Sequence, residues 1–101
     1  MKKAEFIIVN VCEYYKVDKE LVTSSRSREQ FIADVRHISQ YLLRYNTELD
    51  LKDIGSFFGR KHPAVIHAIK RIHSQLSNKF DDTIKNDIIK LNEKISHYEH
   101  N

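Results

Sequence analysis

The chain of 101 residues contains one cysteine, one proline, two glycines and no tryptophan. Each shortage excludes something. Cys12 has no partner for an internal disulfide and cannot build a cysteine-based zinc site, so a reducing cytoplasm is the expected setting. Two glycines and one proline exclude a collagen-like chain. They also argue against an all-β fold, which needs a turn signal every few residues. No apolar run approaches the ~18 residues that cross a bilayer. The start Met1-Lys2-Lys3 lacks the apolar stretch of a signal peptide. No phosphate-binding G-x-x-x-x-G-K-[ST] loop is present. His62, His67 and His73 are spaced onto different faces of one helix, and H-E-x-x-H is missing, so neither a metal nor a cofactor is expected. Ser24, Ser25 and Ser27 have no paired base, and an enzyme is not expected.

What remains is ordinary globular material, 41% hydrophobic and 31% charged. The length fits one domain, residues 1–101, and is short for a two-domain enzyme. The net charge of +3 is unevenly spread. Residues 1–25 balance, residues 80–101 are acidic, and the middle stretch 26–79 holds 10 Lys and Arg against 5 Asp and Glu. The middle is therefore the candidate surface for a polyanion.

Helical periodicity runs through the chain. Ile8, Val11, Cys12 and Tyr15 make one apolar face of a first helix. Cys12 on that stripe reads as a small buried hydrophobe. Asp18 can cap a short second helix that turns Leu21 and Val22 inward. The polar, basic stretch 23–28 reads as an exposed loop. Ser27 and Gln30 have capping-box spacing for a third helix. Its inward stripe is Phe31, Val35, Ile38, Leu42 and Tyr45. After a break at Asn46-Thr47-Glu48, Asp50 caps a short helix with Leu51, Ile54 and Phe58 inside. Gly59 can end it in the left-handed conformation, and Pro63 fits only the first turn of the next helix. That helix buries Val65, Ala68, Ile69, Ile72 and Leu76. Asp81 or Asp82 opens the last one, with Ile84, Ile88, Leu91, Ile95 and Tyr98. About six helices and no strand predict an all-α compact bundle.

Residues 51–76 have the pattern of a helix-turn-helix. Gly55 lies where the two helices approach. If Val65, Ala68, Ile69 and Ile72 face inward, Ala64, His67 and Arg71 face out, with Arg60, Lys61 and His62 at the N-terminal end. Arg and Lys donate to guanine, His to a base or phosphate, and Ala64 can touch a thymine methyl. Double-stranded DNA is the partner this pattern favours. A protein-interaction or transcription-regulatory adaptor on the same fold is the alternative.

The run from Ile54 to Ala68, IGSFFGRKHPAVIHA, resembles the signature I-G-x-x-F-G-G-R-D-H-T-T-V-x-H-A of the C-terminal DNA-binding domain of the bacterial replication initiator DnaA. The likeness extends to Glu13-Tyr14-Tyr15, to Arg26 and Arg28, and to Arg36-His37, and covers about residues 6–76. It implies a fold of the Trp-repressor-like type, sequence-specific duplex binding, a role in chromosomal replication initiation or its regulation, and a nucleoid-associated cytoplasmic protein. It implies that Arg60 and His62 belong to the base-reading end, and that His67, Arg71 and Arg36 approach phosphates. It also implies that Leu51 and Lys52 begin a helix whose backbone meets a phosphate, and that the basic loop sends an arginine, Arg26 by position, into the minor groove. Three departures stand out. One glycine replaces two in the turn, Lys61 replaces an aspartate, and Pro63-Ala64 replace two threonines. An acceptor for cytosine thus becomes a donor, so the family's usual box is not the expected site. Without a nucleotide-binding segment, the chain reads as a fragment of a longer initiator or a free-standing relative, with other replication proteins as further partners.

Overall fold

The computed structural model describes residues 2–24 and 27–100, the side chains of the last two excepted. Six α-helices follow one another: α1 (Lys3–Tyr15), α2 (Lys19–Thr23), α3 (Gln30–Asn46), α4 (Leu51–Ser56), α5 (His62–Leu76) and α6 (Thr83–Ser96). A 3₁₀ turn, His97–His100, closes the series, and the described residues contain no strand. The expected all-α bundle is what forms.

α3 is the axis, packing against each of the other five helices. Its buried arc is correspondingly wider than one stripe and includes Ile32, Val35, Ile38, Leu42 and Leu43. At each end the register differs from the sequence expectation. Ile32, not Phe31, enters the core, and Leu43 is buried while Tyr45 is not: Phe31 is 50% and Tyr45 55% exposed. In α2, Val22 is buried and Leu21 stays outside. Around α3 lie Ile7, Ile8 and Val11 of α1, Ile54 of α4, Val65 and Ile72 of α5, and Leu91 and Ile95 of α6, in one continuous cluster. Cys12 belongs to it, and burial pushes its thiol up to about 11.

Capping follows the expectation in part. The Asp50 carboxylate accepts from the Asp53 N–H at 2.8 Å, closing the first turn of α4. The Ser27–Gln30 box does not form. α3 begins only at Gln30, with Glu29 before it and no side-chain cap, so Ser27 lies too far upstream. Gln30 instead donates to Asp34 at 2.8 Å. Asp18 and Asp82 occupy the N-cap positions of α2 and α6 without a side-chain bond. Asp81 accepts from the Thr83 N–H at 2.9 Å.

A contact between distant residues ties α6 to α1. The hydroxyls of Tyr14 and Tyr15 donate to the two oxygens of Asp87, at 2.6 and 2.7 Å. The bond to Asp87 and burial raise the Tyr14 phenol to about 12, and burial with the same bond raises that of Tyr15 further.

Candidate nucleic-acid interface

The α4–turn–α5 unit is built around two glycines and one phenylalanine. Gly59 has φ 62°, in the left-handed region where a Cβ is penalised. Gly55 permits the close approach: a Cβ there would run into the Arg60 carbonyl oxygen and lie 3.3 Å from Val65 Cγ2. The Gly55 carbonyl accepts from the Phe58 N–H at 2.9 Å and from the Arg60 N–H at 3.0 Å, folding the turn back on α4. Phe58 is completely buried beneath it. This turn sets the angle at which α5 leaves the bundle.

The start of α5 projects freely. Lys61 is the N-cap residue and makes no side-chain capping bond, Pro63 stands in the first turn, and that turn has no acidic residue. The positive end of a 15-residue helix thus has Arg60 and Lys61 beside it and no carboxylate in its first turn. Lys61, His62, Pro63, Ala64, His67 and Arg71 are exposed, and Arg60 is half-buried. Lys70 is exposed on the same helix, three residues past His67, a position the motif-based reading passes over. Lys52 is exposed and Leu51 half-buried at the start of α4.

A groove of about 440 Å³ separates the start of α3 from α5. Arg28, Arg36, His37, Arg60, Ala64 and His67 line it, so residues far apart in the sequence meet there. Lys61, His62 and Pro63 stand outside it at the helix tip, and Lys52 on α4. Arg26 lies outside the described residues. Arg28, exposed, is the basic-loop arginine that the structure places.

Arg36, whose position in the family motif implies a phosphate contact, is engaged with the protein's own backbone. It is only 3% exposed. Its Nε donates to the Val22 carbonyl at 2.9 Å and its Nη2 to the Ser24 carbonyl at 3.1 Å. These oxygens belong to the end of α2 and the start of the basic loop. A guanidinium engaged in this way ties α3 to the end of α2.

His37 is half-buried, and its Nδ1 is shut in without a hydrogen-bond partner. Burial, with the charges of Arg71, Arg36 and Arg60, holds its pKa below the ordinary histidine value, against an opposing pull from Asp34. Asp34 is also new to the site. Its carboxylate lies 4.0 Å from the Arg71 guanidinium on the exposed face of α5. Its signal in the sequence was faint: one acidic residue a turn before Arg36-His37 on α3.

The described residues include no cluster of potential metal ligands. No helix among them is long and apolar enough to cross a membrane. The family described as bacterial dnaA protein helix-turn-helix matches residues 4–72. The chromosomal replication initiator protein DnaA of Caldanaerobacter subterraneus subsp. tengcongensis is 39% identical over 88 residues, which is 87% of this chain and 19% of the relative. Its counterpart in Deinococcus radiodurans is 36% identical over 70 residues, 69% of this chain and 15% of the relative. The chain therefore spans a fifth or less of the length of these relatives. With the match extending from α1 through the recognition helix, the chain belongs to the bacterial DnaA helix-turn-helix family and corresponds to the initiator's C-terminal, DNA-binding part.

Proposed function

We propose that this chain binds double-stranded DNA in a sequence-specific way, with the start of α5 in the major groove and the basic loop in the adjacent minor groove. The observation that carries this is the uncapped N-terminus of α5, exposed and ringed by Arg60, Lys61 and His62. A helix end of that kind attracts phosphate, and its side chains can reach base edges. Membership of a DNA-binding family points the same way. Lys61 donates to guanine, Ala64 meets a thymine methyl, and Arg60 and His62 supply further donors. Lys70, Arg71 and Lys52 neutralise phosphates, and His67 and the backbone at the start of α4, at Leu51, donate to them. Arg28 is the described candidate for the minor groove, with Arg26 beside it in sequence.

The continuous core from α1 to α6 supports reading residues 1–101 as one domain with the helix-turn-helix at about 51–76. It is a binding domain, not an enzyme. Its relatives are named as chromosomal replication initiator proteins, and initiation of replication or its control in the cytoplasm is the setting we infer. The test is duplex affinity against salt, together with selection of bound sites from random duplexes. Each neutralised phosphate contributes a slope of about −0.9 in log K against log salt. An enriched site that departs from the DnaA box at the bases facing Lys61 and Ala64 supports the reading. A flat salt response returns the chain to the protein-adaptor alternative.

A further inference from the structure

The groove between α3 and α5 contains a histidine in an unusual position. His37 lines it, yet one ring nitrogen, Nδ1, is buried without a partner. That leaves Nε2 as the nitrogen with access to a ligand. The charged and titratable groups around the ring come from four segments. Asp34 and Arg36 share its helix, Arg28 stands on the basic loop, Arg60 on the turn, and His67 and Arg71 on α5. Cations thus outnumber the one carboxylate, and Asp34 is partly engaged with Gln30 and Arg71.

We infer that this groove seats a backbone phosphate of bound duplex DNA and that filling it protonates His37, so that DNA binding takes up a proton there. The inference rests on the DNA-binding reading above. In the free protein, protonation places a second N–H at Nδ1, where no acceptor waits, and adds a positive charge among arginines. Burial and those charges favour the neutral ring. A phosphodiester carries one negative charge and strong acceptor oxygens. Set between Arg60 and His67, it offsets the local cations and gives the Nε2 N–H an acceptor. The charge offset favours the imidazolium, which also donates the stronger bond. Because the ring is half-buried, solvent screens this coupling less than it would at an exposed histidine.

The consequence is linkage. Whatever raises the proton affinity of His37 in the complex makes the complex tighter as pH falls. With one proton taken up, affinity changes by at most about tenfold per pH unit. His62 and His67 are exposed near the same face, so the test must resolve the individual ring. The experiment is an NMR titration of the His37 ring resonances in the whole chain, free and saturated with a duplex, at constant salt. Beside it, duplex affinity is measured from pH 5.5 to 8 for wild type and His37→Gln, about the range in which histidine titrates. The expected result is an upward move of the His37 pKa on DNA binding and a shallower pH dependence of affinity in His37→Gln than in wild type. A complex in which the His37 pKa is unmoved or lowered overturns this inference and leaves the DNA-binding reading intact. No duplex binding at any pH removes both.

Discussion

Gly55→Ala tests the helix-turn-helix geometry where it is least forgiving. On an isolated helix the change favours alanine by about 1 kcal/mol. Here the added methyl meets the Arg60 carbonyl oxygen, with the carbonyl carbon at 3.2 Å and Val65 Cγ2 at 3.3 Å. The obstacle is mostly backbone, which cannot rotate away as a side-chain tip can, so the cost lies at the upper end of the 1–3 kcal/mol typical of overpacking, about 3 kcal/mol. Displacing the turn also strains the Arg60 N–H bond to the Gly55 carbonyl, worth about 1 kcal/mol. The balance is a loss of about 3 kcal/mol once the helix-propensity gain is set against it. For a domain of this size that corresponds to a fall in melting temperature of about 12–24 °C. Far-ultraviolet circular dichroism during heating measures it. Duplex affinity should fall as well at temperatures where both proteins are folded, because the displaced turn carries Arg60, Lys61 and His62. A variant that melts at or above the wild-type temperature refutes the argument, since it would mean that Gly55 is an ordinary helix position.

Arg36→Ala should destabilise the fold by about 2–4 kcal/mol, because the Val22 and Ser24 carbonyls lose a buried charged donor. Its slope of affinity against salt should stay at the wild-type value under folding conditions; a slope weaker by about 0.9 would restore the phosphate role. Asp34→Asn should tighten duplex binding up to about fivefold by freeing Arg71 from a solvent-screened pair, and unchanged affinity would mean that this pair does not restrain Arg71. The bond to Asp87 raises the Tyr14 phenol from 10.0 to about 12, so its contribution to stability is full below pH 10 and lost as pH climbs towards 12. Denaturant titrations should accordingly show that Tyr14→Phe loses less stability than wild type across that interval. Lys61→Asp should move base preference towards the DnaA box by about 1–3 kcal/mol, and identical ranking of that box and a selected site by both proteins would show that Lys61 faces no base edge.

The helices and the recognition motif were legible because both rest on local rules. The inward faces of α1 and α5 follow a 3.6-residue period. Asp50 caps within its own turn, and Gly59 and Pro63 stand where their backbone preferences require. What escaped depends on partners distant in sequence. Nothing around Phe31 or Tyr45 reveals that α3 packs against five other helices and buries Ile32 and Leu43 instead. The Tyr14 and Tyr15 hydroxyls find Asp87 more than 70 residues away. Arg36 is the sharpest case. Its residue type and its place in the motif both suggest DNA, whereas the carbonyls it serves come into reach only when α2 folds onto α3. Asp34 enters the site for the same reason, through the approach of α5.

The central claim is that the start of α5 and the basic loop beside it form the DNA-binding face. Its most direct test is backbone amide chemical-shift mapping of the chain with a selected duplex. The largest changes should fall on Gly59 to His67 and on Arg28, with smaller ones at Leu51, Lys52 and Arg71, while α6 remains nearly unchanged. Shifts concentrated on α6, with α5 and the basic loop silent, would contradict the account.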